Sequence, residues 1–248
     1  MGTGVKINGK HTETDYGLKL LSIEIGIPET LSKREQIPGS NTYINNGNKG
    51  IFGQRSIALV FDRFGGYKDW MERISLISAD INGQEIEIEM DSQLGYYYYG
   101  IATVSTTKEN NVVTSFKINI QADPFKYKDY VSVSANVTAS KTITVEGNYP
   151  TPCIIEITPQ VNVISSLTIS GIARNKITGE LEDILIKNLT KGNKVVIDGE
   201  NGTVTEGSSN KFADTEFWEF PSLLPGGNEI TFSNTQSNIT IKYKPRYI

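Results

Sequence analysis

Hydrophobic and polar positions alternate with a period of two over most of this chain, the pattern of strands that bury one face. Val5 and Ile7 flank Lys6 and stop at Asn8-Gly9, a strand and a turn. Leu18 and Leu20, then Ile23 and Ile25, alternate with Lys19, Ser22 and Glu24 until Pro28 ends the run. Ile57, Leu59 and Phe61 share one face of a strand over 55–62, broken by Gly65-Gly66. Ile86, Ile88 and Met90 alternate strictly with Glu85, Glu87 and Glu89, which predicts an apolar-in, acid-out strand whose glutamates form a solvated face. Tyr96, Tyr97, Tyr98 and Tyr99 follow; in a strand two of them face inward and two outward. The outward pair suits a neighbouring subunit, and could also stack sugars or nucleobases. Glu109-Asn110-Asn111 then turns the chain into a strand over 113–120 with Phe116, Ile118 and Ile120 inward.

One stretch changes period. Tyr67, Trp70, Met71, Ile74 and Ile77 recur at helical spacing, with Lys68, Asp69, Glu72 and Arg73 between them. This predicts one helix over 67–78, its apolar stripe packed on a sheet. Residues 29–54 show neither period. They are polar, with Pro38-Gly39-Ser40-Asn41 and Asn45-Asn46-Gly47-Asn48, and form either a hairpin tip or an arm that contacts a partner.

At the midpoint, Ala122-Asp123-Pro124-Phe125-Lys126-Tyr127 interrupts the pattern. Pro124 donates no backbone N–H and holds Asp123 out of the helical region. Beyond it the helical period never returns. Strands are expected at 141–146, 153–158, 162–170, 183–188, 194–198, 203–205, 230–232 and 238–243, a spacing that points to a β-sandwich. The change of texture divides the chain into domains 1–130 and 131–248, with Asp123 and Pro124 as the junction and Phe125 and Tyr127 as aromatics that dock one domain on the other.

Composition narrows the chemistry. The 248 residues carry a formal net charge of −4 and no basic run, which argues against nucleic acid as a main partner. The N-terminus has no apolar core of signal-peptide length and no stretch approaches a membrane span, so the expected starting compartment is a cytoplasm, unless a dedicated machine exports the chain. Gly2 invites myristoylation, but Lys6 stands where that motif wants Ser or Thr. Cys153 is the one cysteine and His11 the one histidine, so an intrachain disulfide is excluded, and zinc and most nucleophilic chemistries nearly so. Cys153 lies in a strand-like run and His11 in a polar opening that reads as an exposed loop. Asp198-Gly199-Glu200-Asn201-Gly202 is rich in oxygen ligands but lacks the spacing of a calcium loop, and is expected to be a hairpin turn. The Asn-X-Thr triplets at Asn136, Asn188, Asn201 and Asn238 matter only in a secretory pathway. Trp218, in Phe217-Trp218-Glu219-Phe220-Pro221, is expected in core or rim packing. A glycosidase would need two facing carboxylates, and no Asp or Glu pair is singled out by an apolar setting. No catalytic, metal or cofactor residue is expected.

Several motifs, in order, resemble the distal tail (Dit) family of long-tailed phages, a hub component of tails of siphovirus type. They are Lys6-Ile7-Asn8-Gly9 with Asp15-Tyr16-Gly17-Leu18; Ile37-Pro38-Gly39; Gln54-Arg55-Ser56-Ile57; the Tyr-rich Gly95–Gly100; Asp123-Pro124-Phe125-Lys126-Tyr127; Trp218–Leu223; and Pro225-Gly226-Gly227-Asn228-Glu229-Ile230, closing with Tyr243, Pro245, Arg246 and Tyr247. The resemblance implies a mainly β fold: an N-terminal tail-tube-like β-sandwich or split barrel with one flanking helix, and a C-terminal galectin-like β-sandwich. It implies a structural protein of the virion tail, assembled in the host cytoplasm. It further implies a homo-oligomeric ring, commonly a hexamer, that joins the tail tube protein to tail-tip, tail-associated lysin or receptor-binding proteins. DNA would pass through the lumen without specific binding, and no membrane is involved. Glu85, Glu87 and Glu89 are then candidates for an acidic lumen wall. The alternative is a carbohydrate-binding module that contacts the host cell wall.

Overall fold

The computed structural model describes residues 4–31, 34–45, 51–62, 66–109, 112–175 and 178–248. The expected turn at Asn110-Asn111, the Asn46-Gly47-Asn48 tip and Gly65 lie outside them. The chain is mainly β, with one α-helix among the described residues. It forms two compact units, Met1–Tyr127 with Ile248, and Lys128–Tyr247.

In the first unit β1 (Val5–Ile7) turns at Asn8 and Gly9, both with positive φ, into β2 (Lys10–His11). β3 (Lys19–Ile25) follows, then a two-stranded hairpin of β4 (Arg34–Gln36) and β5 (Tyr43–Asn45). β6 (Arg55–Asp62), helix α1 (Tyr67–Ile81), β7 (Glu85–Met90), β8 (Tyr97–Glu109), β9 (Val112–Ala122) and β10 (Lys126–Tyr127) complete it. Seven strands form an antiparallel sheet in the order β2-β1-β7-β8-β9-β6-β3, and β10 pairs with β8 at Tyr127↔Tyr97. The inward residues are those the alternation selects: Ile57, Leu59, Phe61, Ile86, Ile88, Met90, Phe116, Ile118 and Ile120 are all buried.

The slip of phase in β3, from Leu18 and Leu20 to Ile23 and Ile25, has a physical cause. The register with β6 shifts between Leu20 and Ser22, and Leu21, the extra residue, points to solvent. The helix runs three residues beyond the predicted end. Ile81 completes the buried stripe of Trp70, Ile74 and Ile77, and the chain leaves the helix at Asn82, whose side chain accepts a hydrogen bond from the Val104 N–H. Tyr67 and Met71, expected on the stripe, are exposed. At 100° per residue they sit beside the buried face rather than on it.

The second unit is a two-layer antiparallel sandwich. Its strands are β11 (Val131–Asn136), β12 (Ser140–Val145), β13 (Thr151–Pro159), β14 (Val163–Arg174), β15 (Leu181–Thr190), β16 (Val195–Asp198), β17 (Thr203–Glu206), β18 (Ser209–Asn210), β19 (Thr215–Glu216), β20 (Ser222–Leu223), β21 (Gly226–Phe232), β22 (Ser237–Tyr243) and β23 (Arg246–Tyr247). One sheet runs β11-β22-β13-β16-β17-β18 and the other β12-β21-β14-β15-β19. Cys153, Ile155 and Ile157 of β13 meet Leu167, Ile169, Ile184 and Ile186 of the opposite sheet in one apolar cluster. The alternation of β13 is unbroken over its nine residues, and burial of Ile155 and Ile157 contributes about 1.5–3 kcal/mol each.

β14 carries a break in register between Ile169 and Ala173, and Gly171 lies inside it with φ +88°. A Cβ at that position would lie 2.1 Å from the Glu229 carbonyl oxygen. Only glycine allows the bulged strand to pass this close to its neighbour. The Asp198–Gly202 stretch is a hairpin turn between β16 and β17, as expected. Asp198 Oδ1 accepts from the backbone N–H of Glu200 and Asn201, and Oδ2 accepts from the Asn201 side chain. That carboxylate is therefore used up inside its own turn.

Candidate functional site

The glutamate row and the midpoint residues singled out in the sequence are linked within the first unit. Glu85, Glu87 and Glu89 alternate along β7, and β8 runs beside them with Glu87 opposite Tyr99 and Glu89 opposite Tyr97. Directly opposite pairs bring side chains within hydrogen-bonding reach. The Tyr99 hydroxyl donates to Glu87 Oε2 at 2.9 Å. Lys6 Nζ, from β1, donates to Glu89 Oε2 at 2.8 Å, and the Gly95 backbone N–H donates to Glu89 Oε1 at 2.9 Å. The Lys6 hydrogen bond is the main reason that the Glu89 carboxyl lies below its usual pKa, with the Gly95 N–H adding to it. The expectation of a solvated glutamate row is thus corrected for two of its three members. Glu85 is exposed, whereas Glu87 and Glu89 are half-buried and held by donors from neighbouring strands.

The midpoint stretch joins the same surface. Tyr127 packs edge-on against Tyr99, with ring centroids 5.5 Å apart, and its hydroxyl donates to Asp123 Oδ2 at 3.0 Å. Phe125 packs edge-on against Tyr127 at 6.4 Å and against Phe52 at 6.2 Å. The Pro124 carbonyl accepts from Arg55 Nη2 at 2.9 Å. Arg55 is itself buried, its guanidinium 5.5 Å from the centroid of the buried Tyr98 ring. Lys126 Nζ sits 4.7 Å from the Tyr96 centroid. The acidic row and the midpoint stretch are therefore linked in one chain of contacts, Glu87–Tyr99–Tyr127–Asp123. Alternation identifies each group separately. Their meeting depends on strand pairings remote in sequence, and the four consecutive tyrosines were its one visible sign.

Glu87 and Glu89 are answered by donors at normal hydrogen-bond distance, and no group of three or more His, Cys, Asp or Glu that could hold a metal occurs among the described residues. His11 corrects a second expectation. It is not an exposed loop residue: its side chain is 19% exposed, and Nε2 lies 3.2 Å from Asp91 Oδ2. Asp91 also accepts from the Gly4 N–H at 2.9 Å, so histidine and carboxylate together tie the start of the chain to the end of β7. Cys153 is fully buried, and that burial pushes its thiol pKa up, the opposite of an activated nucleophile.

Trp218 departs furthest from expectation. It is 92% exposed. The residues on either side explain why. Phe217 and Phe220 pack against one another at 5.1 Å and against Phe212 at 5.7 and 6.3 Å, filling the apolar space below the loop. Trp218 lies between these anchors and is turned to solvent.

The architecture was compared with known proteins. Residues 146–247 match the family model SPP1_Dit, described as siphovirus-type tail component, C-terminal domain. The crystal structure of SPP1 Dit (gp 19.1), described as a paradigm of the hub adsorption apparatus in phages that infect Gram-positive bacteria, superposes with a TM-score of 0.76 at 13% identity, over 99% of each chain. A chain of the phage P2 baseplate in its activated conformation with Ca aligns over 100% of both chains at 14% identity, with a TM-score of 0.44. No match is found among curated proteins. Residues 146–247 are thus similar to the C-terminal domain of the siphovirus-type tail component family, and the chain has the fold of SPP1 Dit over 99% of its length.

Proposed function

We propose that this chain is a structural distal tail protein that closes into a ring, commonly of six copies, and joins the tail tube to the tail-tip, lysin or receptor-binding proteins that meet the host. The observation that carries this reading is the fold likeness to SPP1 Dit over 99% of both chains, together with the C-terminal family match. Self-assembly has a physical motive in the first unit. β3 ends the sheet, and an edge strand offers unpaired backbone groups unless a neighbour covers them. The chain between Leu21 and Ile51 also exposes several apolar side chains: Leu21, Ile27, Leu31, Tyr43, Ile44 and Ile51. Ile27 alone is 90% exposed. Such a concentration belongs in an interface, and cyclic closure covers it on every copy at once. This favours the arm over the hairpin tip as the role of residues 29–54.

In the ring, Glu85, Glu87 and Glu89 face the lumen, and this acidic row, offset at Glu89 by Lys6, disfavours binding of the phosphates of passing DNA. Asp123, Pro124, Phe125 and Tyr127 form the junction at which the second unit begins. The protein is a component of the virion tail, put together in the host cytoplasm. Size-exclusion chromatography with light scattering tests the ring. The expected mass is about six times the 27.4 kDa chain, and replacing Ile27 and Ile44 together by Asp is expected to reduce it to that of one chain. A single-chain mass for the unmodified protein at high concentration overturns the ring. An image of the ring with the three glutamates on its outer surface overturns the lumen assignment.

A further inference from the structure

We infer that a groove beside Trp218 in the second unit takes an extended, arginine-bearing segment of a partner protein. The groove, of ≈ 570 Å³, is lined by Glu182, Asp183, Thr215, Glu216, Phe217 and Trp218. Three independent features meet in it.

The first is an open sheet edge. β19 pairs with β15 only at Leu185↔Glu216 and Ile186↔Thr215. Beyond that point Leu181–Ile184 have β14 on one side and no strand on the other among the described residues. A segment in extended conformation can continue the line of β19 and satisfy this edge by main-chain hydrogen bonds. The second feature is the indole of Trp218, held out by the Phe212–Phe217–Phe220 cluster at the side of the groove. Planar cations stack on such a face, and tryptophan is the best of the aromatic platforms. The third is charge. Glu216 is paired with Lys187, but Asp183 is exposed and negative. Glu182 Oε1 accepts from Asn175 Nδ2 at 2.9 Å, while its Oε2 is buried without a hydrogen-bond partner among the described residues. An enclosed acceptor of this kind costs free energy until a donor arrives.

Guanidinium meets the last two demands together, while the main chain of the segment that carries it meets the first. It presents a fork of donors to a carboxylate and stacks on an indole with the same planar group. A neutral saccharide could stack on Trp218, but it would cover the carboxylates without compensating their charge. The occupant is therefore a basic, strand-forming protein segment. This deepens the hub reading by naming one of its partner-facing surfaces.

The test uses the full chain and its intrinsic fluorescence. Of the two tryptophans, Trp70 is fully buried, so a ligand-induced change in emission reports on Trp218. The probe is an eight-residue, end-blocked peptide that alternates arginine with threonine. Its controls are the same peptide with glutamate for arginine, and a soluble bacterial cell-wall polysaccharide. The arginine peptide is expected to change the emission saturably, and more strongly at low salt. Measured by calorimetry, Trp218→Ala is expected to weaken it about tenfold and Asp183→Asn about threefold. Both side chains are exposed, so neither variant threatens the fold. No saturable response at millimolar peptide overturns the inference, as does an equal response to the glutamate peptide, or binding of the polysaccharide in its place. Ring closure is read separately by mass. A ring that ignores the peptide removes the groove, and a single chain that binds it removes only the ring.

Discussion

Replacing Gly171 by alanine is expected to destabilise the protein by about 2–5 kcal/mol, the largest effect expected of any single substitution. Two costs add. The φ of +88° lies in the left-handed region, where an L side chain is strained by roughly 1–2 kcal/mol. The new Cβ would also stand 2.1 Å from the Glu229 carbonyl oxygen, and its nearest neighbours are backbone atoms that cannot swing aside. The bulge must then move against β21, at about 1–3 kcal/mol more. Urea unfolding followed by far-ultraviolet circular dichroism measures the loss, read as a lower midpoint at unchanged slope. A loss below about 1 kcal/mol would mean that β14 can shed its bulge, and would contradict this account of the register break.

Replacing Lys211 by methionine is expected to cost about 2–3 kcal/mol. Lys211 is the buried ammonium of the second unit, its side chain only 6% exposed. Its three donors are all used: on the Asn188 carbonyl at 3.1 Å, Glu206 Oε2 at 3.1 Å and Asp214 Oδ2 at 3.2 Å. Methionine keeps the volume but leaves two carboxylates facing each other without a cation. A fully enclosed pair broken in this way loses about 3–5 kcal/mol, and the partial exposure of both carboxylates lowers the figure.

Titration gives this second prediction a signature. Burial works to lower the pKa of Lys211, but the hydrogen bonds and charges of Glu206 and Asp214 outweigh it, so the net direction is upward from 10.5. The stability it supplies is complete below 10.5 and is lost as pH rises through the folded-state value. Asp214 moves the other way, down from 3.8, first through the Asn188 side-chain hydrogen bond and next through Lys211. Its contribution is present above 3.8 and lost as pH falls through its lower folded-state value. The gap between wild type and Lys211→Met is therefore widest between these limits and narrows on both sides. A gap independent of pH would assign the loss to packing instead.

Much of the fold could be read from alternation because so many strands bury one face only. β6, β7, β9, β13 and β22 were visible in this way, and so was the helix, since Trp70, Ile74 and Ile77 keep its period. β11 was not. Of its six residues only Ala135 is buried, and an edge strand made of Ser, Val and Asn offers no apolar row to read. What failed on the candidate surfaces was pairing rather than patterning. Glu87 and Glu89 look free along β7, but they are held by Tyr99 from β8 and Lys6 from β1. Trp218 looked buried because tryptophan usually is. Its exposure follows from where Phe217 and Phe220 point, which depends on Phe212 and on the path of a loop without a period.

The full enclosure of Cys153 has a practical consequence. It is the chain's one thiol, and it sits on β13, the strand that shares its ladder with β16, β20 and β22. A maleimide or disulfide reagent can reach it only when that layer opens. The rate of modification therefore clocks the opening of a single chosen place in the sandwich, with no engineered label. Followed in the single chain and then in the proposed ring, the same clock is expected to run slower wherever assembly stiffens the second unit.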